Sequence, residues 1–283
     1  MEKIGFSLQE RYSLPMPEVV DLLADAGFQA ISLSWQRDTD LTETVCRARA
    51  LGLTVQSLHG PLRGMPAMWS SDPAVFQPIL ADILDSARTC AALDIPVLVI
   101  HPWNGVDYSF RTEALCFDHF DALVALAEEL GIVVAFENLE GPEYLTALME
   151  RYVNHKAVGF CWDTGHALCY APGWDFLSRF GDRLVMTHLN DNQGVTDTAG
   201  KLQGTDDLHL LPFDGIMNWE DTVTQLKAAK RQEILNFELK IRPKGDRCRL
   251  DLYSQMPLMQ YFREAYQRAC RAVDGYFDNE KEC

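Results

Sequence analysis

Asp163 and His166 stand either side of the pair Thr164-Gly165, directly after the apolar run Val158-Gly159-Phe160-Cys161-Trp162. Short apolar runs closed by turn residues read as buried parallel strands. The spacing therefore puts a carboxylate at a strand's carboxyl end and an imidazole just past it, the edge where α/β proteins bind ligands and metals. The arrangement recurs: His59, His101, Glu137, His188 and Glu238 each follow an apolar run within a residue or so, and His209 comes from a polar loop. A lone histidine near a strand is usually a hydrogen-bonded structural residue, and a lone glutamate is usually capped or solvated. Their convergence carries the argument, because a barrel brings all its strand ends to one rim within reach of a single ion. Two Glu, one Asp and one or more His make a hard-to-borderline donor set, suited to divalent Mn, Mg, Co or Zn.

The elements that must position them follow from the apolar periodicity. Strands are expected at 4–8, 28–34, 53–58, 95–100, 132–136, 158–162, 184–187 and 233–237. Helices are expected at 17–26, 41–51, 72–93, 110–130, 143–152, 174–180, 219–230 and 252–272, with Gly27, Gly52 and Gly131 just past three of them. Eight short strands alternating with helices predict an α/β protein, a single (β/α)8 TIM barrel over residues 1–283 with its metal site at the C-terminal rim of the strands. A doubly wound open sheet is the alternative, but no G-x-G-x-x-G or P-loop follows any strand.

A chain of 283 residues with 47% hydrophobic and 23% charged residues suits one such barrel and a core that needs no disulfides. The net charge of -16 argues against a sequence-independent grip on nucleic acid or an anionic membrane, although a global count misses a local basic cleft. The eight cysteines, at 46, 90, 116, 161, 169, 248, 270 and 283, form no C-x-x-C pair and read as reduced thiols. Met1-Glu2-Lys3 runs straight into the first strand, and no apolar run approaches the roughly 18 residues of a membrane span. A soluble, cytoplasmic protein is expected.

The pieces Ser57-Leu58-His59-Gly60, Val99-Ile100-His101-Pro102, Phe136-Glu137-Asn138, Trp162-Asp163-Thr164-Gly165-His166, Thr187-His188-Leu189-Asn190-Asp191, His209-Leu210-Leu211-Pro212-Phe213-Asp214-Gly215 and Phe237-Glu238 together resemble the xylose isomerase-like barrel superfamily. It holds sugar and sugar-phosphate isomerases and epimerases, and also the metal-dependent AP endonucleases. The resemblance to the ketose 3-epimerase branch implies one divalent ion held by Glu137, Asp163, His188 and Glu238. It further implies that Glu137 and Glu238 act as acid and base on a substrate carbon through an enediolate, with no organic cofactor. His166 would then contact substrate oxygens, with His59, His101 and His209 nearby and Trp103 as a pocket wall. That branch places an arginine shortly after the strand-seven His-x-x-Asp, whereas here the loop reads Asn192-Gln193-Gly194-Val195-Thr196-Asp197.

The AP-endonuclease branch implies a trinuclear zinc cluster, for which His59, His101, His166, Asp207 and His209 are the matching further ligands. A phosphodiesterase of that kind is the alternative function, but the 60–72 loop offers only Arg63 for phosphate. The favoured reading is a metal-dependent isomerase or epimerase of a small sugar or sugar phosphate, with no nucleic acid or membrane partner. Lys240 and Arg242 suit a phosphate or sugar oxygen, or an ion pair. Tyr253, Tyr261, Phe262, Tyr266, Tyr276 and Phe277 suit a homo-oligomer face equally with a helix packed on the barrel.

Overall fold

All eight apolar runs become strands. The structure, a computed structural model, describes residues 3–9, 12–242 and 253–277. The expected polar end at 278–283, the helix start at Leu252, and Cys248 and Cys283 lie outside the described residues. The strands are β1 (Ile4–Leu8), β2 (Ala30–Ser34), β3 (Thr54–His59), β4 (Val97–Ile100), β5 (Val133–Glu137), β6 (Val158–Asp163), β7 (Leu184–His188) and β8 (Leu235–Phe237). Between and after them run α1 (Met16–Ala26), α2 (Thr42–Ala50), α3 (Pro73–Ala92), α4 (Asp118–Leu130), α5 (Pro142–Arg151), α6 (Thr164–Cys169), α7 (Phe176–Phe180), α8 (Trp219–Ala228) and α9 (Leu258–Ala272). All pairings are parallel and follow chain order from β1 to β7, with β8 beside β1. The last seam closes just past β7, where Leu189 N donates to Asn236 O at 2.9 Å and Glu238 N donates to Leu189 O at 3.0 Å.

Because side chains alternate along a strand, each strand has one face toward the helices and one toward the barrel axis. Ile4, Phe6, Ile31, Leu58, Phe136, Phe160 and Phe237 pack outward into the main core. The inward row is of two kinds. Val97, Val99, Ala135, Cys161 and Met186 form a small apolar cluster on β4 to β7. On the opposite side, β8, β1, β2 and β3 turn in a chain of amide and hydroxyls. Asn236 Nδ2 donates to Ser7 Oγ at 2.6 Å, Ser32 Oγ to Asn236 Oδ1 at 3.3 Å, and Ser57 Oγ to Ser32 Oγ at 2.9 Å. Gly5 completes this layer, since a Cβ there would meet Asn236 Oδ1 at 2.7 Å.

Three expectations shift. The helix foreseen at 110–130 begins at Asp118, because Tyr108 and Phe110 pack against Tyr144 of α5 as part of a long β4–α4 loop. The Thr-Gly turn after Asp163 is the first turn of α6, capped by the Asp163 carboxylate, which accepts from His166 N at 2.7 Å. The C-terminal aromatics pack on the barrel: Phe262 meets Phe6 at 5.3 Å and Tyr266 meets Phe28 at 5.2 Å. The six described cysteines are free, and no helix among the described residues is long and apolar enough to cross a membrane.

The inward chain on β8, β1, β2 and β3 makes a stability prediction. Asn236→Ala would leave Ser7 and Ser32 hydroxyls short of a buried partner and lower the unfolding free energy by about 2–4 kcal/mol in urea titration. A loss below about 1 kcal/mol would show that the layer rearranges freely.

Candidate metal centre

The inward parity fixes which residues meet at the rim. Counting outward from the apolar layer by twos, Val97 and Val99 lead to His101, Ala135 to Glu137, Cys161 to Asp163 and Met186 to His188; Ser57 leads to His59 and Asn236 to Glu238. Each is the last inward position of its strand or the next one past it. One ligand atom from each of Glu137, Asp163, His188 and Glu238 lies within 4.8 Å of the others, and all four residues are buried. His188 Nδ1 is the meeting point, 2.9 Å from Glu137 Oε1 and 2.9 Å from Glu238 Oε2. Glu137 Oε2 faces the other way, 3.2 Å from His59 Nε2 and 3.4 Å from His101 Nε2, so it belongs to a second donor group, His59–His101–Glu137.

A third group, His166–Asp207–His209, stands beside these. Asp207 Oδ1 is 2.8 Å from His209 Nε2 and 3.5 Å from His166 Nε2. His166 Nδ1 lies 3.0 Å from Asn138 O, 3.4 Å from Glu137 Oε1 and 3.7 Å from Asp163 Oδ1. The three groups together contain every histidine and acid foreseen at the rim. Trp103 sits apart from them, stacked on Tyr144 with centroids 4.4 Å apart and its indole N–H donating to Gly105 O at 3.0 Å. Lys240, half-buried, is close enough to Asp207 for its charge to favour that carboxylate.

Packing carboxylates this closely without water is costly, and the imidazoles offset it. Burial alone would raise Glu137, yet His188, His101 and His166 hold it well below the usual carboxylate range. Glu238 is likewise held low against its burial by His188 and His209. Burial pushes Asp163 up to about 6 and His101 down to about 4. Despite burial, His188 is drawn well above the ordinary histidine value by Cys161, Glu137 and Glu238, and His166 by Asp163 and Asp207. The charge of the carboxylates is balanced in part by the imidazolium protons of His166 and His188.

A supporting layer orients the donors. Asn190 Nδ2 donates to both Asp163 oxygens, at 3.1 and 3.0 Å, and Asn138 Nδ2 donates to Asp163 O at 2.8 Å. Asp191 organises the loop after β7, accepting from Asn192 N, Phe213 N, Met217 N and Trp219 Nε1. It thereby supports Phe213 (φ 74) in left-handed backbone that non-glycine residues rarely adopt; His209 (φ 50) is left-handed as well. Two groups escaped the sequence reading, the half-buried Gln9 and the buried Glu140. Gln9 Nε2 donates to Glu238 Oε2 at 2.8 Å, and Glu140 keeps its Oε2 buried with no partner. Gln9 was detectable, since it lies two positions past the inward Ser7; Glu140 had no such signal.

Residues 20–259 match the family described as a xylose isomerase-like TIM barrel. The uncharacterized protein y4fM of Sinorhizobium fredii is 35% identical over 162 residues, covering 52% of this chain and 48% of that protein. A probable endonuclease 4 of Chloroflexus aurantiacus is 33% identical over 139 residues, covering 40% of this chain and 47% of that protein. The 2-epi-5-epi-valiolone 7-phosphate 2-epimerase of an Actinoplanes species is 32% identical over 139 residues, covering 46% and 47%. The chain thus spans about half the length of the curated relatives it matches. Among solved structures, L-ribulose 3-epimerase superposes with a TM-score of 0.75 at 15% identity, covering 100% of both chains. At that identity the likeness is one of fold.

The supporting layer can be tested without any ligand. A Cβ on Gly165 would lie 1.9 Å from Asn190 Oδ1, whereas one on Gly204 meets nothing within 4 Å. Gly165→Ala is expected to cost about 1–3 kcal/mol in chemical denaturation through overpacking. Gly204→Ala should stay within about 0.5 kcal/mol of the unmodified protein. Equal effects would refute the rigid Asn190–Asp163 support.

Proposed function

The chain belongs to the xylose isomerase-like TIM barrel family, and we propose that it is a divalent-metal-dependent isomerase or epimerase of a small sugar or sugar phosphate. The observation that carries this reading is the meeting of Glu137 and Glu238, from opposite sides of the β5 to β8 arc, on one imidazole nitrogen at 2.9 Å each. The donor chemistry fits an ion: three carboxylates and a histidine, all buried, with ligand atoms within 4.8 Å of one another. Glu137, Asp163, His188 and Glu238 would hold it, as Mn, Mg, Co or Zn. When bound, the ion supplies the positive charge that offsets negative charge developing on a substrate carbonyl oxygen.

The two glutamates do the proton work. One carboxylate takes the proton from the carbon beside the carbonyl, and the C–H electron pair moves to the carbonyl oxygen to leave an enediolate. The other returns a proton, to the opposite face of the same carbon for an epimerase or to the neighbouring carbon for an isomerase. Their separation on different strands supports this division. His166, steadied by Asn138 O and Asp207, would hydrogen-bond substrate oxygens, with His59, His101 and His209 around it. Trp103, on its stack with Tyr144, would form an outer wall. The free cysteines support a reducing, cytoplasmic setting.

One observation favours a second reading, a trinuclear-zinc phosphodiesterase. The three donor groups share Glu137 or stand next to it, and a probable endonuclease 4 is among the sequence relatives. The net charge of -16 argues against a nucleic-acid substrate.

Elemental analysis and proton exchange separate the two. About one ion per chain, with metal-dependent deuterium uptake from heavy water into a ketose, is the expected result. About three zinc ions with cleavage of abasic DNA and no exchange would replace it with the second reading. Glu137→Gln and Glu238→Gln should each lower exchange by about 10²–10⁴-fold, and turnover surviving both would sink the proposal.

Proton competition adds a readout independent of turnover. His188, drawn above its ordinary pKa, carries a proton at pH 7 that a bound ion would displace, and Asp163, pushed up to about 6, takes up a second as pH falls through that value. Metal affinity should therefore fall about tenfold per pH unit for each proton released on going from pH 7 to pH 5.5. A flat affinity across that window would contradict the assigned ligands.

A further inference from the structure

Glu137 and His188 belong to one more donor group, and this one takes in a sulfur. One ligand atom from each of Glu137, Cys161 and His188 lies within 4.8 Å of the other two, and all three residues are buried. The stagger of the strands brings them together. In the parallel register Glu137 of β5 stands beside Cys161 of β6, and Cys161 stands beside Met186 of β7. Side chains alternate along a strand, so in-register neighbours of a parallel sheet share a face. On β6 and β7 the inward row is therefore layered. Asp163 and His188 are in register at the mouth, and two positions deeper come the sulfurs of Cys161 and Met186, both fully buried.

The two layers differ in the ions they favour. Carboxylate oxygens suit Mg or Mn, whereas thiolate and thioether sulfur select softer ions. The side chains packed around the sulfurs, Val97, Val99 and Ala135, offer no donor atom, so a cation at this depth depends on Cys161 together with Glu137 and His188. Those last two are common to both donor sets. An ion drawn to Cys161 thus competes for the same carboxylate and imidazole that Asp163 and Glu238 need to complete theirs.

We infer that Glu137, Cys161 and His188 form a second, sulfur-containing cation site for a thiolate-preferring divalent ion such as Cd2+, in competition with the site completed by Asp163 and Glu238. The Cys161 S–H proton leaves to solvent as the sulfur–metal bond forms, and no electrons change hands. Resting on the proposed isomerase or epimerase reading, occupancy of the sulfur site is inhibitory, because it takes Glu137 away from proton transfer.

The test titrates the full chain, stripped of metal, with Cd2+ and with Mn2+. Cd2+ should produce an ultraviolet sulfur-to-cadmium charge-transfer band in the unmodified protein and in Cys46→Ser, which removes an exposed thiol elsewhere. The band should be lost in Cys161→Ser and in Cys161→Ala, and the ratio of Cd2+ to Mn2+ affinity should fall at least about tenfold in both. A cysteine that merely fills the barrel axis would leave that ratio unchanged in Cys161→Ser. In the Mn2+-loaded protein Cd2+ should inhibit deuterium exchange into a ketose, and Cys161→Ser should raise the inhibitory concentration at least about tenfold. A band missing from the unmodified protein, a band that survives loss of Cys161, or an unchanged affinity ratio overturns the inference. Absence of exchange in the Mn2+-loaded protein overturns the isomerase or epimerase reading instead, and the absorption and affinity results still decide the sulfur site.

Discussion

Three buried carboxylates with oxygens within 4.8 Å of one another at the barrel mouth are the constraint around which this structure is arranged. Unopposed, such a group would lose its charge or force the rim apart. The imidazoles of His59, His101, His166, His188 and His209 surround it, and each touches an acid or another imidazole. The pattern of raised histidines and lowered glutamates is one of exchange: proton charge stands where cationic charge is called for. A divalent ion would answer the same electrostatic demand, which is the physical ground for the proposed metal site.

The backbone meets that demand through period-two alternation. Each donor occupies the inward row of its strand, so the same parity that places Val97, Ala135, Cys161 and Met186 against the axis places His101, Glu137, Asp163 and His188 at the mouth. Asp163 also has a second task as the cap of α6, and this ties its rotamer to a helix terminus as well as to Asn190. Asp191 serves the neighbouring loop comparably, satisfying four donors, among them the N–H of the left-handed Phe213.

Strand existence and most of the rim were legible in the chain because apolar runs of strand length closed by His, Glu or Asp are local signals. The family resemblance, drawn on those same rim motifs, agrees with the match over residues 20–259. What escaped was non-local or fell on a weak signal. The stretch from Tyr108 to Phe117 has helical composition, yet Tyr108 and Phe110 are claimed by the ring of Tyr144, and the helix waits until Asp118. Thr164-Gly165 has turn composition, but a carboxylate at the preceding position supplies a cap and the segment coils. Gln9 was passed over because an amide after a strand carries no charge to draw notice, although its parity with Ser7 marks it as inward. Cys161, deep in the axis beside His188, was read only as a buried thiol; burial pushes it up to about 12.

The polar chain across β8, β1 and β2 has a consequence for the order of events during synthesis. Asn236 and Ser7, like Glu238 and Gln9, are 229 residues apart in sequence. Contacts of that separation form only after the chain between them has been made and the sheet has curved round. A nascent or truncated chain ending before β8 would carry Glu137, Asp163 and His188 but neither the third carboxylate nor the seam that draws the rim together. Ring closure is therefore a checkpoint: the donor set becomes complete only when the last strand of the polypeptide has found the first.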